Sequence, residues 1–178
     1  RELLRAALDF ERTWVETDAQ VRRTPYGAVV QDPRHPLVYM ANLAWVERLP
    51  PGGVDEVLED LDAAFGGTEV RHRNVLFEDA REAFENQEAF VSRGFRALAD
   101  LTMARVGLPA CITTPGLDTR EVQEPSERED FRRLRMRLFE GVGHGSEESR
   151  QLFDLGRRRG ALLGVREYVG YFKGAPAA

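Results

Sequence analysis

The chain has 178 residues, 42% apolar and 31% charged, enough for one full domain or for one domain and part of another, and too rich in core formers to stay disordered. A formal net charge of −5 supplies no basic excess to neutralise phosphates, which argues against nucleic acid as a partner. A single cysteine, Cys111, excludes an internal disulfide, and no apolar run reads as a signal peptide or membrane span, so the expected compartment is a reducing one, the cytoplasm, with no membrane partner.

The spacing predicts a helix over residues 2–17, where Leu3, Ala7, Phe10 and Trp14 share one face with Leu4, Leu8 and Val15 beside them. Residues 21–31 are rich in β formers and stop at Asp32-Pro33. Residues 37–48 follow, with Leu37, Tyr39, Leu43 and Trp45 at odd positions, and the two runs are expected to be adjacent antiparallel strands. After Pro50-Pro51-Gly52-Gly53, the apolar positions Val54, Val57, Leu58, Leu61, Ala64 and Phe65 recur at three and four, which predicts a second helix closed by Gly66-Gly67. A strand over 70–77 is expected next. A helix over 79–93 follows, with Ala80, Ala83, Phe84, Phe90 and Val91 inward and Gly94 ending it, and then a strand over 95–105.

Residues 107–118 hold two prolines, two glycines and no period, and form the linker candidate, with a domain boundary near residue 112. The expected division is therefore 1–111 and 112–178. Beyond the linker, the pattern predicts a short strand over 119–123, a helix opened by a Ser126/Glu129 capping box, a helix over 146–163, and a strand over 165–172 followed by a Lys173-Gly174 turn. The sequence begins at Arg1 without Met and stops just after that turn, so the expectation is a piece of a longer polypeptide. The strand over 165–172 then needs a partner for its edge. It is expected to extend or abut the sheet formed by residues 21–105, or to pair with another chain as in a homodimer.

The order strand, strand, helix, strand, helix, strand over 21–105 ends in a junction that runs from Phe84 through Phe90 to Gly94-Phe95. That junction resembles the closing half of the GNAT-type N-acetyltransferase fold, where a helix ends in Tyr-x-x-x-Gly-Phe and enters the last strand pair. Residues 119–178 look like a second beginning of the same fold, and together the halves resemble tandem GNAT proteins, in which a worn first copy precedes an active second one. The resemblance implies an α/β (α+β) fold with a mixed, mostly antiparallel sheet and flanking helices. It also implies that the parent protein moves an acetyl group from acetyl-CoA to an amine on a small molecule or peptide.

Family members hold the cofactor's pyrophosphate on backbone N–H groups of an Arg/Gln-x-x-Gly-x-Gly/Ala loop at a helix N-terminus. The corresponding stretch here is Arg48-Leu49-Pro50-Pro51-Gly52-Gly53. Two prolines remove two donors and Asp55-Glu56 add negative charge, so acetyl-CoA is expected to be a co-substrate of the parent protein that this chain does not itself bind. The family's tyrosine, which serves as general acid, corresponds to Phe90, which has no proton to give, so no catalytic residue is assigned. Tyr39, Asn42 and Trp45 are the candidate substrate-facing residues, lining a cleft on a central strand; a buried strand is the alternative use of the aromatics. The acidic face of the 54–65 helix favours a cationic amine acceptor or is simply solvated. His35, His72 and His144 lack metal-ligand spacing, so no metal is expected. Gly143-His144-Gly145-Ser146 reads as a loop with a helix cap, and Arg157-Arg158-Arg159-Gly160-Ala161 as a charged helix face. The rival to the enzyme is a non-enzymatic α/β domain that binds a small ligand or a partner chain through an open sheet edge.

Overall fold

The structure, a computed structural model, describes residues 2–99 and 114–177, and the chain divides into two units, residues 1–105 and 106–178. Both units combine helices with sheets that are antiparallel except at one pair of strands, as the sequence implied.

In the first unit the order is α1 (Glu2–Glu16), β1 (Gln20–Thr24), β2 (Gly27–Gln31), a 3-10 turn (Tyr39–Ala41), β3 (Leu43–Val46), α2 (Gly53–Phe65), β4 (Val75–Phe77) and α3 (Ala80–Val91). The sheet order is β1-β2-β3-β4, with β1, β2 and β3 antiparallel and β3 parallel to β4. Alternate residues of β2 and β3 serve two cores. Val29, Ala44 and Val46 pack on Val57, Leu61 and Phe65 of α2, while Ala28, Val30, Leu43 and Trp45 pack on Val15 of α1. A strand covered on both faces carries no polar alternation, and all four residues of β3 are buried. Each buried Val, Leu or Phe here contributes about 1.5–3 kcal/mol by removal from water.

The single run expected over 21–31 is instead a hairpin. Pro25-Tyr26 forms its two-residue turn, with Thr24 opposite Gly27, because buried Tyr26 offers its carbonyl to the N–H groups of Glu47 and Arg48 at 2.8 and 3.4 Å. The strand expected from residue 37 begins only at Leu43, since residues 32–42 are folded into turns by the side chains of Asp32 and Asn42. The strand over 70–77 shortens to Val75–Phe77, and residues 95–99 carry no strand. The remainder of that expected strand, 100–105, and the linker stretch 107–113 lie outside the described residues.

Helix α3 keeps its expected place, capped by Asp79, whose carboxylate accepts from the N–H groups of Arg81 and Glu82. Only Phe90 of its apolar residues is buried; Phe84 and Val91 are exposed. Phe84 lies six residues from Phe90, roughly 240° around the helix, so the two cannot share a face. Phe90 sits edge-on between Phe77 and Phe95, with ring centroids 5.7 and 5.4 Å away. In α1, likewise, Leu3 and Phe10 of the expected face are exposed and Val15 alone is buried.

The second unit holds β5 (Leu117–Glu121), α4 (Pro125–Gly141), α5 (Ser146–Leu163), β6 (Tyr168–Phe172) and β7 (Ala175–Ala177), with an antiparallel sheet in the order β5-β6-β7. The expectation that residues 165–172 seek an edge of the first sheet is overturned: β6 is a central strand, and β5 and β7 take both of its edges. The turn between β6 and β7 is Lys173-Gly174, with φ of 49° and 81°, the left-handed pair that matches the twist of a two-residue hairpin. Helix α4 begins two residues earlier than a Ser126 cap allows. Pro125 fits the first helical position, and the Glu127 carboxylate accepts from the N–H groups of Gln123 and Glu124, both at 3.0 Å. No described helix is long and apolar enough to cross a membrane.

Candidate functional site

Because β3 and β4 run parallel, their carboxyl ends reach the same edge of the sheet, and α2 and α3 both start there. Helix N-termini carry unpaired N–H groups and partial positive charge, which makes this edge the natural place for an anion in a sheet of this kind. The loop into α2 is already filled by the chain itself. The Leu49 N–H donates to the Glu82 carboxylate of α3 at 2.8 Å, and the Gly52 N–H to the Glu56 carboxylate at 3.1 Å. The Gly53 N–H donates to the Pro50 carbonyl at 2.9 Å, while Pro50 and Pro51 have no N–H to give. These residues do not fit the pyrophosphate of acetyl-CoA: Pro50 and Pro51 have no N–H, those of Leu49, Gly52 and Gly53 already have acceptors, and two of those acceptors are carboxylates that would repel it.

The three candidate residues do not form one surface. Tyr39 lies on the 3-10 turn rather than on a strand, 53% exposed, with its ring against that of His72, centroids 4.3 Å apart and planes tilted by 39°. Trp45 is buried in the core against α1 and donates its indole N–H to Glu78 at 3.3 Å. Asn42 is fully buried and belongs to the loop: it accepts from the Asp32 N–H at 3.0 Å and donates to the carbonyls of His35 and Val38 at 2.9 and 3.3 Å. The odd-position alternation that joined Tyr39 to Trp45 fails because a 3-10 turn intervenes, and the buried use of the aromatics holds for Trp45.

Alternation of apolar residues did not reveal the polar cluster that shapes this loop. Asp32 and His35 are both buried, with His35 Nδ1 at 2.9 Å from Asp32 Oδ2. Arg34 donates from Nε to Asp32 Oδ1 at 2.7 Å and from Nη2 to Oδ2 at 3.0 Å, and reaches Asp18 at 3.0 Å from Nη1. Burial alone would raise the Asp32 carboxyl, but the bonds from Arg34 and His35 outweigh it and hold it below the ordinary carboxylate value. Asp32-Pro33-Arg34 carries a recognisable signal, an Asx turn in which the Arg34 N–H donates to Asp32 Oδ1 at 3.1 Å.

A depression of about 310 Å³ lies along the acidic face of α2 and is lined by Asp55, Glu59, Asp62, Arg73, Arg93 and Phe95 among others. Arg93 pairs with Asp55 and Arg73 with Asp62, each at 2.7 Å. These pairs consume two of the three carboxylates that a cationic ligand would use. Such exposed pairs are each worth about 0–1 kcal/mol. Among the described residues, no group of three or more His, Cys, Asp and Glu is arranged to hold a metal. No family model, curated protein or solved structure matches this chain.

Proposed function

We propose that this chain works as the non-catalytic part of a GNAT-type N-acyltransferase, whose parent protein carries an acetyl group from acetyl-CoA to an amine. The observation that carries the reading is the β3-α2-β4-α3 succession with its one parallel strand pair, preceded by antiparallel strands and followed by the Phe90, Gly94 and Phe95 junction. In this reading the first unit is the worn copy. The second unit, with strand, two helices and a strand hairpin, supplies the opening elements of the other copy. The filled loop into α2 and the Phe90 aromatic stack support assigning cofactor binding and proton donation to neither Arg48-Gly53 nor Phe90.

Isothermal titration of this chain with acetyl-CoA tests the cofactor half of the reading, and a micromolar dissociation constant defeats it. Release of free thiol from acetyl-CoA by the intact protein, across a panel of small amines and peptide N-termini, tests the enzymatic half. A second reading, a non-enzymatic domain that binds a protein partner, draws on the second sheet, where Leu117, Tyr168 and Phe172 share one face and are all exposed. Absence of thiol release with every amine favours that reading over the enzyme.

A further inference from the structure

The sheet of the second unit packs against a helix on one face and is bare on the other. Val169 and Tyr171 of β6 are buried on the α4 side, where the Tyr171 hydroxyl donates to Asp130 at 3.0 Å. The register fixes the bare face, because side chains alternate along each strand. Leu117 lies beside Phe172 and Ala175, Thr119 beside Gly170 and Ala177, and Glu121 beside Tyr168. Leu117, Tyr168 and Phe172 are each 43–50% exposed. Leu117 leans over the middle rung, where a Cβ on Gly170 would lie 3.2 Å from its Cδ1, so the apolar surface continues into the centre of the face.

The charges on this face stand at opposite ends of it. The Lys173 ammonium lies over the Phe172 ring, 5.4 Å from its centroid. Glu121 marks the Tyr168 end, with no partner for its carboxylate among the described residues. Arg166, the other charge near that end, lies two residues before β6. An apolar face with a cation at one end and an anion at the other complements itself when turned end for end. A two-fold axis crossing the strands at the Thr119, Gly170 and Ala177 rung brings Lys173 of each copy to Glu121 of the other and lays Phe172 beside Tyr168. An axis along the strands would instead oppose lysine to lysine and glutamate to glutamate.

We propose that this face binds the same face of a second copy of the chain, in a dimer whose two-fold axis runs across the strands. The proposal rests on the partner-binding reading of this face, gives it a definite occupant, and holds whether or not the parent protein transfers acetyl groups. Thiol release decides the enzymatic question, and the association state of the chain decides this one.

Sedimentation equilibrium of the full chain across the micromolar range tests it, with a dimer that dissociates on dilution as the expected result. Phe172→Asp buries a charge in the apolar contact and should leave only monomer. Glu121→Lys and Lys173→Glu each set two like-charge pairs across the interface and should weaken association by at least about fivefold, and combining the two reversals should restore it to within about twofold. Amide exchange at Val169 and Tyr171 shows whether each variant keeps its sheet, and the charge reversals decide the matter if Phe172→Asp loses it. A monomer at every concentration overturns the proposal. So does a dimer that neither reversal weakens, or one that the combined reversal fails to restore.

Discussion

His35 Nδ1 lies 2.9 Å from Asp32 Oδ2, with both side chains buried, and this contact anchors the long connection between β2 and β3. The same carboxylate accepts from the backbone and the guanidinium of Arg34, so one buried carboxylate holds both Arg34 and His35 at the start of the loop. Asp32→Ala leaves the Arg34 and His35 groups without their acceptor and should cost about 3 kcal/mol in urea denaturation. A loss below about 1 kcal/mol would show that the cluster is incidental.

The lowered Asp32 carboxyl also sets a pH dependence. A group whose folded value lies below its unfolded value adds stability that is fully present above the unfolded value, and loses it as pH falls through the folded one. Glu16 contributes in the same sense: burial would raise it, but Arg23 and Arg12 hold it low. Stability of the first unit should therefore be flat above about pH 5 as far as these two groups are concerned, and should fall from the ordinary carboxylate value near 4 downward. In Asp32→Asn the acid-limb slope should be shallower. An unchanged slope between pH 2 and 5 in denaturation titrations would remove Asp32 from this role.

Asn42 brackets the same loop from its far end with three hydrogen bonds to backbone. Asn42→Leu preserves approximate volume but strands the Asp32 N–H in the interior and takes a second donor from the His35 and Val38 carbonyls, which keep the N–H groups of Val38 and Ala41; it should cost about 2 kcal/mol. Ligand binding at Tyr39 is not the readout here; thermal unfolding is.

Gly27 adopts φ of 144° where β2 meets β3, and a Cβ there would stand 2.2 Å from the Trp45 carbonyl oxygen. Gly27→Ala must push the two central strands apart and should destabilise the first unit by about 3 kcal/mol or more. A thermal midpoint within a degree or two of the parent chain would contradict the close approach.

The Lys173-Gly174 turn places a lysine at φ 49° where asparagine or glycine is better suited. Lys173→Asn should stabilise the second unit by about 0.5 kcal/mol, and Gly174→Ala should weaken it by about 1 kcal/mol. Amide exchange at Val169 and Tyr171, in the buried middle of β6, reports the difference.

Much of the helical structure was determined by the sequence alone, because its causes are local. The three-and-four recurrence of Val54, Val57, Leu61 and Phe65, the Asp79 cap and the glycines that follow α2 and α3 all act within a turn or two of the residues they control. The mixed fold class was legible for the same reason. Pairing was not, since a strand's partner is chosen over long sequence distances: the 21–31 run became a hairpin once Gly27 approached Trp45, and β6 found β5 more than forty residues earlier and β7 only a two-residue turn away. Tertiary structure alone decided the candidate site. Tyr39 and Trp45 look equivalent by period, yet a 3-10 turn exposes one while two-sided packing buries the other, and no local pattern announces that Glu82 will reach back across 33 residues to the Leu49 amide. A carboxylate and an N–H meet there only because two parallel strands bring two helix starts to one edge.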